Sequence, residues 1–152
     1  MKKILLLLSL LLATNAWAYN ETDLMKLKTL NACEGCDLSG INLKGADLKT
    51  ARLDRVNLSG ADLSGVNLSD ANLRGANLSD ANLKGADLKT ARLEGANLSR
   101  ADLSNTDLRE ANLSGANLSD TDLTTSNLRD VKLSNAILCR TQFPWGEVND
   151  GC

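Results

Sequence analysis

From Cys36 to Trp145 the apolar positions of this chain fall on a period of five. Leu recurs at Leu38, Leu43, Leu48, Leu53 and every fifth position to Leu138, and Phe143 takes the next slot, giving 22 consecutive units in one register. Two positions before each stands a small or β-branched residue, Ala in 13 units, and between the two stands Asn or Asp in 17. A period of five fits neither an amphipathic helix nor a half-buried strand. It fits a two-residue stride of strand followed by a corner. On such a stride Ala and Leu share one face and the Asn or Asp points the other way. The two residues after each Leu are mostly Ser, Lys or Arg and then Gly, Asp, Thr or Asn, which are turn formers. Four right-angle corners close a square in about 20 residues, and the next coil stacks about 4.8 Å above it.

The unit A-[N/D]-L-x-x closely resembles the pentapeptide-repeat family. The resemblance covers 110 of the 152 residues. It implies an all-β fold, a right-handed quadrilateral parallel β-helix, that is, a solenoid whose bore is packed with Leu and Ala. On that fold 22 units make five and a half coils, a rod of roughly 26 Å. Each coil buries its Leu only against its neighbours, so stability should be close to additive along the rod.

The flanks read differently. Met1 to Ala18 has the form of a secretory signal peptide: Lys2 and Lys3, an apolar run from Ile4 to Ala13 broken only by Ser9, and Ala16-Trp17-Ala18 as the cleavage site. The run is short for a membrane span. Cleavage would leave a mature chain that starts at Tyr19 with no transmembrane span, and would take the net charge from −2 to −4. Export to the periplasm or outside the cell follows, where disulfides are permitted. Residues 19–35 form an N-terminal cap. Its helix runs from Asn20 to Leu30, with Asn20 as the cap residue, Glu21 and Asp23 at the positive end, and Leu24, Leu27 and Leu30 three apart. This short amphipathic helix is expected to cover the open first coil. The repeats occupy 36–145. The chain leaves the pattern over Arg140 to Cys152, where Pro144-Trp145-Gly146 breaks it, and residues 146–152 are a tail. Phe143 and Trp145 are expected to cover the last coil. The topoisomerase-acting members of the resembled family dimerise through C-terminal coils, so the expected state is a monomer or a C-terminal-end dimer.

The four cysteines narrow the chemistry. Cys33-Glu34-Gly35-Cys36 lacks the βαβ setting of a redox motif, and with no His in the chain a four-ligand zinc site is not furnished. On the rod that the resemblance implies, Cys33 and Cys36 lie at one end and Cys139 and Cys152 at the other, about 24 Å away. A disulfide needs Cα atoms within about 7 Å, so the expected pairs are Cys33–Cys36 and Cys139–Cys152. Without His the commonest general base is missing, and the Ser and Asp residues recur as repeat positions with none singled out. No phosphate-cradling loop is present, and a bore filled by Leu and Ala leaves no ligand pocket. No catalytic residue, metal or cofactor is expected. After cleavage Tyr19, Phe143 and Trp145 are the only aromatic residues, which argues against nucleic acid.

Charge separates the remaining functions. Some members of the resembled family present an acidic rod to DNA gyrase as a DNA mimic. Here the sides of Leu38 and of Leu43 each carry three acids and two bases, the side of Leu48 six acids and four bases, and the side of Leu53 two acids and five bases. None is strongly acidic, and export would remove the protein from gyrase. Ice binding through a Thr ladder is unsupported, because Thr50, Thr90, Thr124 and Thr125 are scattered. The expected function is a non-enzymatic exported structural or protein-interaction module whose partner is a protein or another envelope component. The alternative is a binder of anionic surfaces, lipid head groups or cell-wall polymers, through the side of Leu53. There Arg52, Arg92 and Lys132 recur 40 residues apart, Arg55 and Arg74 add to them, and Asp54 and Glu94 partly offset them. The segment LKGADLKTARL occurs identically at Leu43–Leu53 and Leu83–Leu93, so the row also fits a duplication of two-coil units.

Overall fold

The computed structural model describes residues 19–152. The signal peptide expected at 1–18 lies outside the described residues. Within them the chain winds as a β-helix in which each residue before a Leu bridges, in parallel, the residue 20 positions on: Asp37 to Asn57, Asn57 to Asn77, and so on to Asp122 and Gln142. Four pentapeptides therefore make one coil. The sides are too short to be continuous strands, because each offers one bridging residue between two corners. Three hydrogen bonds per side hold the stack. Leu38 N–H reaches Asn57 O at 2.8 Å, Asn57 N–H reaches Cys36 O at 2.8 Å, and the corner Gly40 N–H reaches Ser59 O at 2.8 Å. The same triad recurs up the rod, which satisfies the backbone of a structure with almost no regular strand.

The bore is built as the pattern predicts. Leu53, Leu73 and Leu93 are fully buried, as are the Ala residues two positions before them. The outward Asn or Asp has a function that the pattern alone did not disclose. Its Oδ1 accepts the N–H of the first corner residue, as in Ser59 N–H to Asn57 at 3.2 Å and Ser64 N–H to Asp62 at 3.0 Å. Only a short side chain with a terminal oxygen closes this ring, which is why Asn and Asp dominate the slot. The second corner residue has φ between 55° and 69° at every corner from Gly35 to Arg140 except Thr125. At that exception the Thr125 hydroxyl accepts the Asn105 N–H at 2.9 Å in place of a carbonyl. Where Ala gives way to Thr or Ser, the buried hydroxyl bonds a bore carbonyl: Thr106 donates to Leu103 O at its own corner and Ser126 to the same oxygen from the coil above, each at 2.6 Å.

Both ends are capped. α1 (Glu21–Leu30) is closed by Asn20, whose side chain accepts the Thr22 N–H, and ends at Asn31 with φ 47°. Leu27 is buried on the first coil and Leu24 is partly buried, but Leu30 is 70% exposed. Three leucines spaced by three fan around a helix, so the last swings off the buried face. The ladder begins one pentapeptide before the first Leu, since Ala32 bridges Arg52. Cys33 thus fills a Leu slot and Cys36 an Ala slot, facing inward on either side of one corner. They are bonded to each other, with Cα atoms 5.3 Å apart. At the far end the register outlasts Arg140. β1 (Thr141–Phe143) keeps its place in the coil, Gln142 bridging Asp122, and the departure starts at Pro144. β2 (Gly146–Val148) then folds back antiparallel on β1. Phe143 is buried, while Trp145 stacks on it at 4.9 Å and remains 68% exposed. Asp150 O accepts the Leu138 N–H at 2.7 Å, and Cys139 is bonded to Cys152.

Ion pairs run along the outside. Asp80, Arg100, Asp120 and Arg140 form one corner column of alternating sign, with Arg100 on Asp80 at 2.7 Å and Arg140 on Asp120 at 2.5 Å. Hydrogen bonds from these guanidinium groups hold both carboxyls below the usual Asp range. A carboxyl whose folded pKa is depressed contributes stability above its unfolded value, about 3.9, and loses it as pH falls through the folded value. Thermal melts are therefore expected to be flat in this respect between neutrality and about pH 5 and to fall below about pH 4. Asp80→Asn with Asp120→Asn should make that acid limb shallower. An unchanged limb in the double variant would mean the column contributes nothing to folding.

Candidate functional site on the cation-bearing side

The side of Leu53 carries one outward ladder in the order Ala32, Arg52, Asn72, Arg92, Asn112, Lys132. Cations thus alternate with amides from Arg52 upward, and each cation sits two coils from the next, about 9.6 Å at ordinary strand spacing. That distance approaches one Debye length at 0.1 M salt, so mutual repulsion is weak. All three cations are exposed. Each costs a corner bond. Asn112 accepts both the N–H and the hydroxyl of Ser114, at 3.2 and 2.7 Å, which an Arg or Lys in that slot cannot do.

The side is less basic than its repeat count suggests. Arg52 is held by Glu34, with Nε and Nη2 at 2.8 and 2.5 Å from one carboxylate oxygen. Arg92 Nε lies 3.9 Å from Glu94. Glu34 escaped the count because it precedes the first Leu unit. Stepping back 20 residues from Asp54 would have found it. Lys132 has no carboxylate partner among the described residues. Arg55 and Arg74 sit apart from the row, at corners, where they line an open depression of about 480 Å³ together with Glu34, Asp54, Gly75 and Glu94. Glu94 Oε2 is buried there without a hydrogen-bond partner.

The cysteines lie at the two ends, away from this side's midpoint. Asp23, Cys33 and Cys36 bring ligand atoms within 4.8 Å of one another. The two sulfurs are bonded together, and the Asp23 carboxylate accepts the Asp37 N–H at 3.1 Å and pairs with Lys26 at 2.8 Å. Its pKa is lowered mainly by the hydrogen bond from Lys26. This is a structural junction that ties α1 to the first coil, with no open ligand set in the oxidised chain.

A sequence model of pentapeptide repeats matches eight copies, over residues 33–70, 51–89 and 86–124. No curated protein matches the chain. Among solved structures, HetL, a pentapeptide-repeat protein involved in heterocyst differentiation regulation in the cyanobacterium Nostoc, is 35% identical over 77% of this chain with a TM-score of 0.57. The match covers 53% of HetL, so this chain spans about half of that protein's length. A pentapeptide-repeat protein of the Arabidopsis thaliana thylakoid lumen is 26% identical over 81% of this chain and 72% of its own, with a TM-score of 0.55. QnrB1, a plasmid-mediated fluoroquinolone resistance protein, superimposes with a TM-score of 0.68 over 76% of this chain and 56% of its own. Its identity is 24%, a likeness of fold alone.

Proposed function

This chain belongs to the pentapeptide-repeat family, and on that premise we propose that it is an exported, non-enzymatic interaction module that presents the side of a rigid right-handed β-helix to a protein or polymer of the cell envelope. Family members are generally structural or interaction modules, and the bore here is filled from end to end. The observation that carries the reading is the cysteine chemistry: all four cysteines are bonded and none is free. Paired structural disulfides belong to oxidising compartments, which agrees with the signal-peptide pattern of Met1 to Ala18. No helix among the described residues is long and apolar enough to cross a membrane.

The outer charge pattern disfavours mimicry of DNA. Duplex DNA is uniformly anionic along its axis, whereas the column Asp80, Arg100, Asp120, Arg140 alternates in sign. The cation row supports the anionic-surface alternative in a reduced form, because Glu34 neutralises Arg52.

Export is tested by mass spectrometry of the protein recovered from a periplasmic fraction, with a mature terminus at Tyr19 expected. A chain that keeps Met1 and stays in the cytoplasm would sink the proposal. The contribution of the row is tested with Arg52→Asn, Arg92→Asn and Lys132→Asn together. Asn is the commonest residue in that slot and would restore the corner hydrogen bonds, so the triple variant should melt at or above the parent temperature. If it also binds envelope extracts as the parent does at low salt, the row takes no part in docking.

A further inference from the structure

Six of the eight arginines are paired with a carboxylate, at distances from 2.5 to 3.9 Å. The two that are not, Arg55 and Arg74, line the same depression. Elsewhere on the rod a corner arginine finds an acid either one coil away, as Arg100 finds Asp80, or at its own corner, as Arg109 finds Asp107. Arg74 has such acids on both sides, because Glu34, Asp54, Arg74 and Glu94 occupy the same corner position 20 residues apart, yet it pairs with neither neighbour. Arg55 leans over the next coil, where Gly75 makes room: a Cβ at position 75 would stand 3.3 Å from Arg55 Cγ. Two guanidinium groups are thus left with their donors unspent, and the nearby Glu94 Oε2 is left without a donor.

We propose that this depression is a binding site for a small zwitterion of the amino-acid or peptide-terminus class. Its carboxylate would be held between Arg55 and Arg74, and its ammonium would be turned toward Asp54 and the accessible part of Glu94, whose buried Oε2 adds negative charge from behind. Guanidinium groups match a planar carboxylate with paired N–H donors. The sign pattern selects against a simple anion. Three carboxylates line the depression, and a dianion such as phosphate would meet their repulsion without an opposite charge to offer Glu94. The volume suits a ligand of dipeptide size. The wall is polar and open, so binding is weak and governed by charge. The site adjoins the Arg52, Arg92, Lys132 row through Glu34 and Glu94, which face Arg52 and Arg92, but its arginines are not members of the row, and it stands whether or not that row docks an envelope component.

The test is a titration of the ¹⁵N-labelled oxidised protein, read at the Arg55 and Arg74 side-chain N–H and the Gly75 N–H signals. The probes are dialanine, N-acetylalanine, alaninamide and inorganic phosphate, each to about 10 mM. Dialanine should shift these signals and bind at least about tenfold more tightly than any probe that lacks one of its charges. Arg55→Gln and Arg74→Gln should each weaken dialanine by a similar factor, with an unchanged far-UV spectrum, whereas Arg129→Gln on another side should not. No shift with dialanine, equal binding of N-acetylalanine, tighter binding of phosphate, or indifference to both arginine variants would overturn the proposal.

Discussion

Leu88→Lys should unfold or fray the middle of the rod. Leu88 is fully buried, and its side stacks between those of Leu68 and Leu108. The bore offers an ammonium group no carboxylate at that height. Asp23, Thr106, Thr121, Ser126 and Thr141 are the buried polar residues, and none lies in this coil side. Burying an unpaired charge costs several kcal/mol, on the order of a domain's whole stability. Leu88→Ala is the milder form and should cost about 2–5 kcal/mol, because the coils above and below cannot close the gap without breaking their ladders. Ser79→Ala provides the contrast. Its hydroxyl donates to Asn77 Oδ1 at 2.9 Å on the outside, a bond worth about 1 kcal/mol or less. Urea unfolding followed by circular dichroism would rank the three. A Leu88→Lys protein as stable as Ser79→Ala would refute the inward assignment of the leucines.

The second large effect concerns the first corner. Cys33 fills a Leu slot and Cys36 an Ala slot, so Cys33→Leu with Cys36→Ser should keep the fold without the disulfide. Leu is the usual occupant of the first slot, and a Ser in the second finds the carbonyl of residue 33, as Thr106 finds Leu103 O and Thr121 finds Leu118 O. The reverse pair, Cys33→Ser with Cys36→Ala, keeps one polar bond, because Asp23 O lies 3.1 Å from the Cys33 sulfur, but leaves a small side chain in a slot that Leu fills in the units above. It should be the less stable of the two pairs, by about 1–3 kcal/mol for the unfilled volume, and should loosen α1 where Leu27 rests on the first coil. Thermal melts and amide exchange over residues 21–30 report both outcomes. Equal behaviour of the two pairs would show that only the covalent bond matters at this end.

Much of this architecture was legible because one residue type repeats in one slot. The Leu period fixes which residues face the bore, and the 20-residue bridge spacing follows from four corners. The outward slot was less transparent. Asn and Asp looked like ordinary solvated positions, and their bond to the corner N–H shows only when the turn is seen. The cation row was visible from Arg52, Arg92 and Lys132, but its neutralisation by Glu34 was not, because a Cys in a Leu slot hid the first unit. Leu30 misled for a simpler reason: spacing by three drifts around a helix. Arg55, Arg74, Asp54 and Glu94 fell on one side by the repeat count, but that Arg55 and Arg74 stay unpaired around one depression shows only when the coils are stacked.

The identity of Leu43–Leu53 with Leu83–Leu93 has a kinetic consequence. Every bond between successive coils spans about the same separation, and most are made by backbone atoms that do not register which coil they join. A chain that stacks with a slip of 40 residues loops out two coils but satisfies the ladder and buries the leucines of the rest, so such frames are traps on the way to the native one. Only features that occur once can reject them. At the extremities these are the Glu34–Arg52 pair, the Asp23 junction and the two bonded cysteine pairs, and between them the Asn105–Thr125 and Thr106–Ser126 bonds. The information that sets the correct frame is therefore carried by a handful of side-chain pairs, and the covalent ones stand at the two ends of the rod.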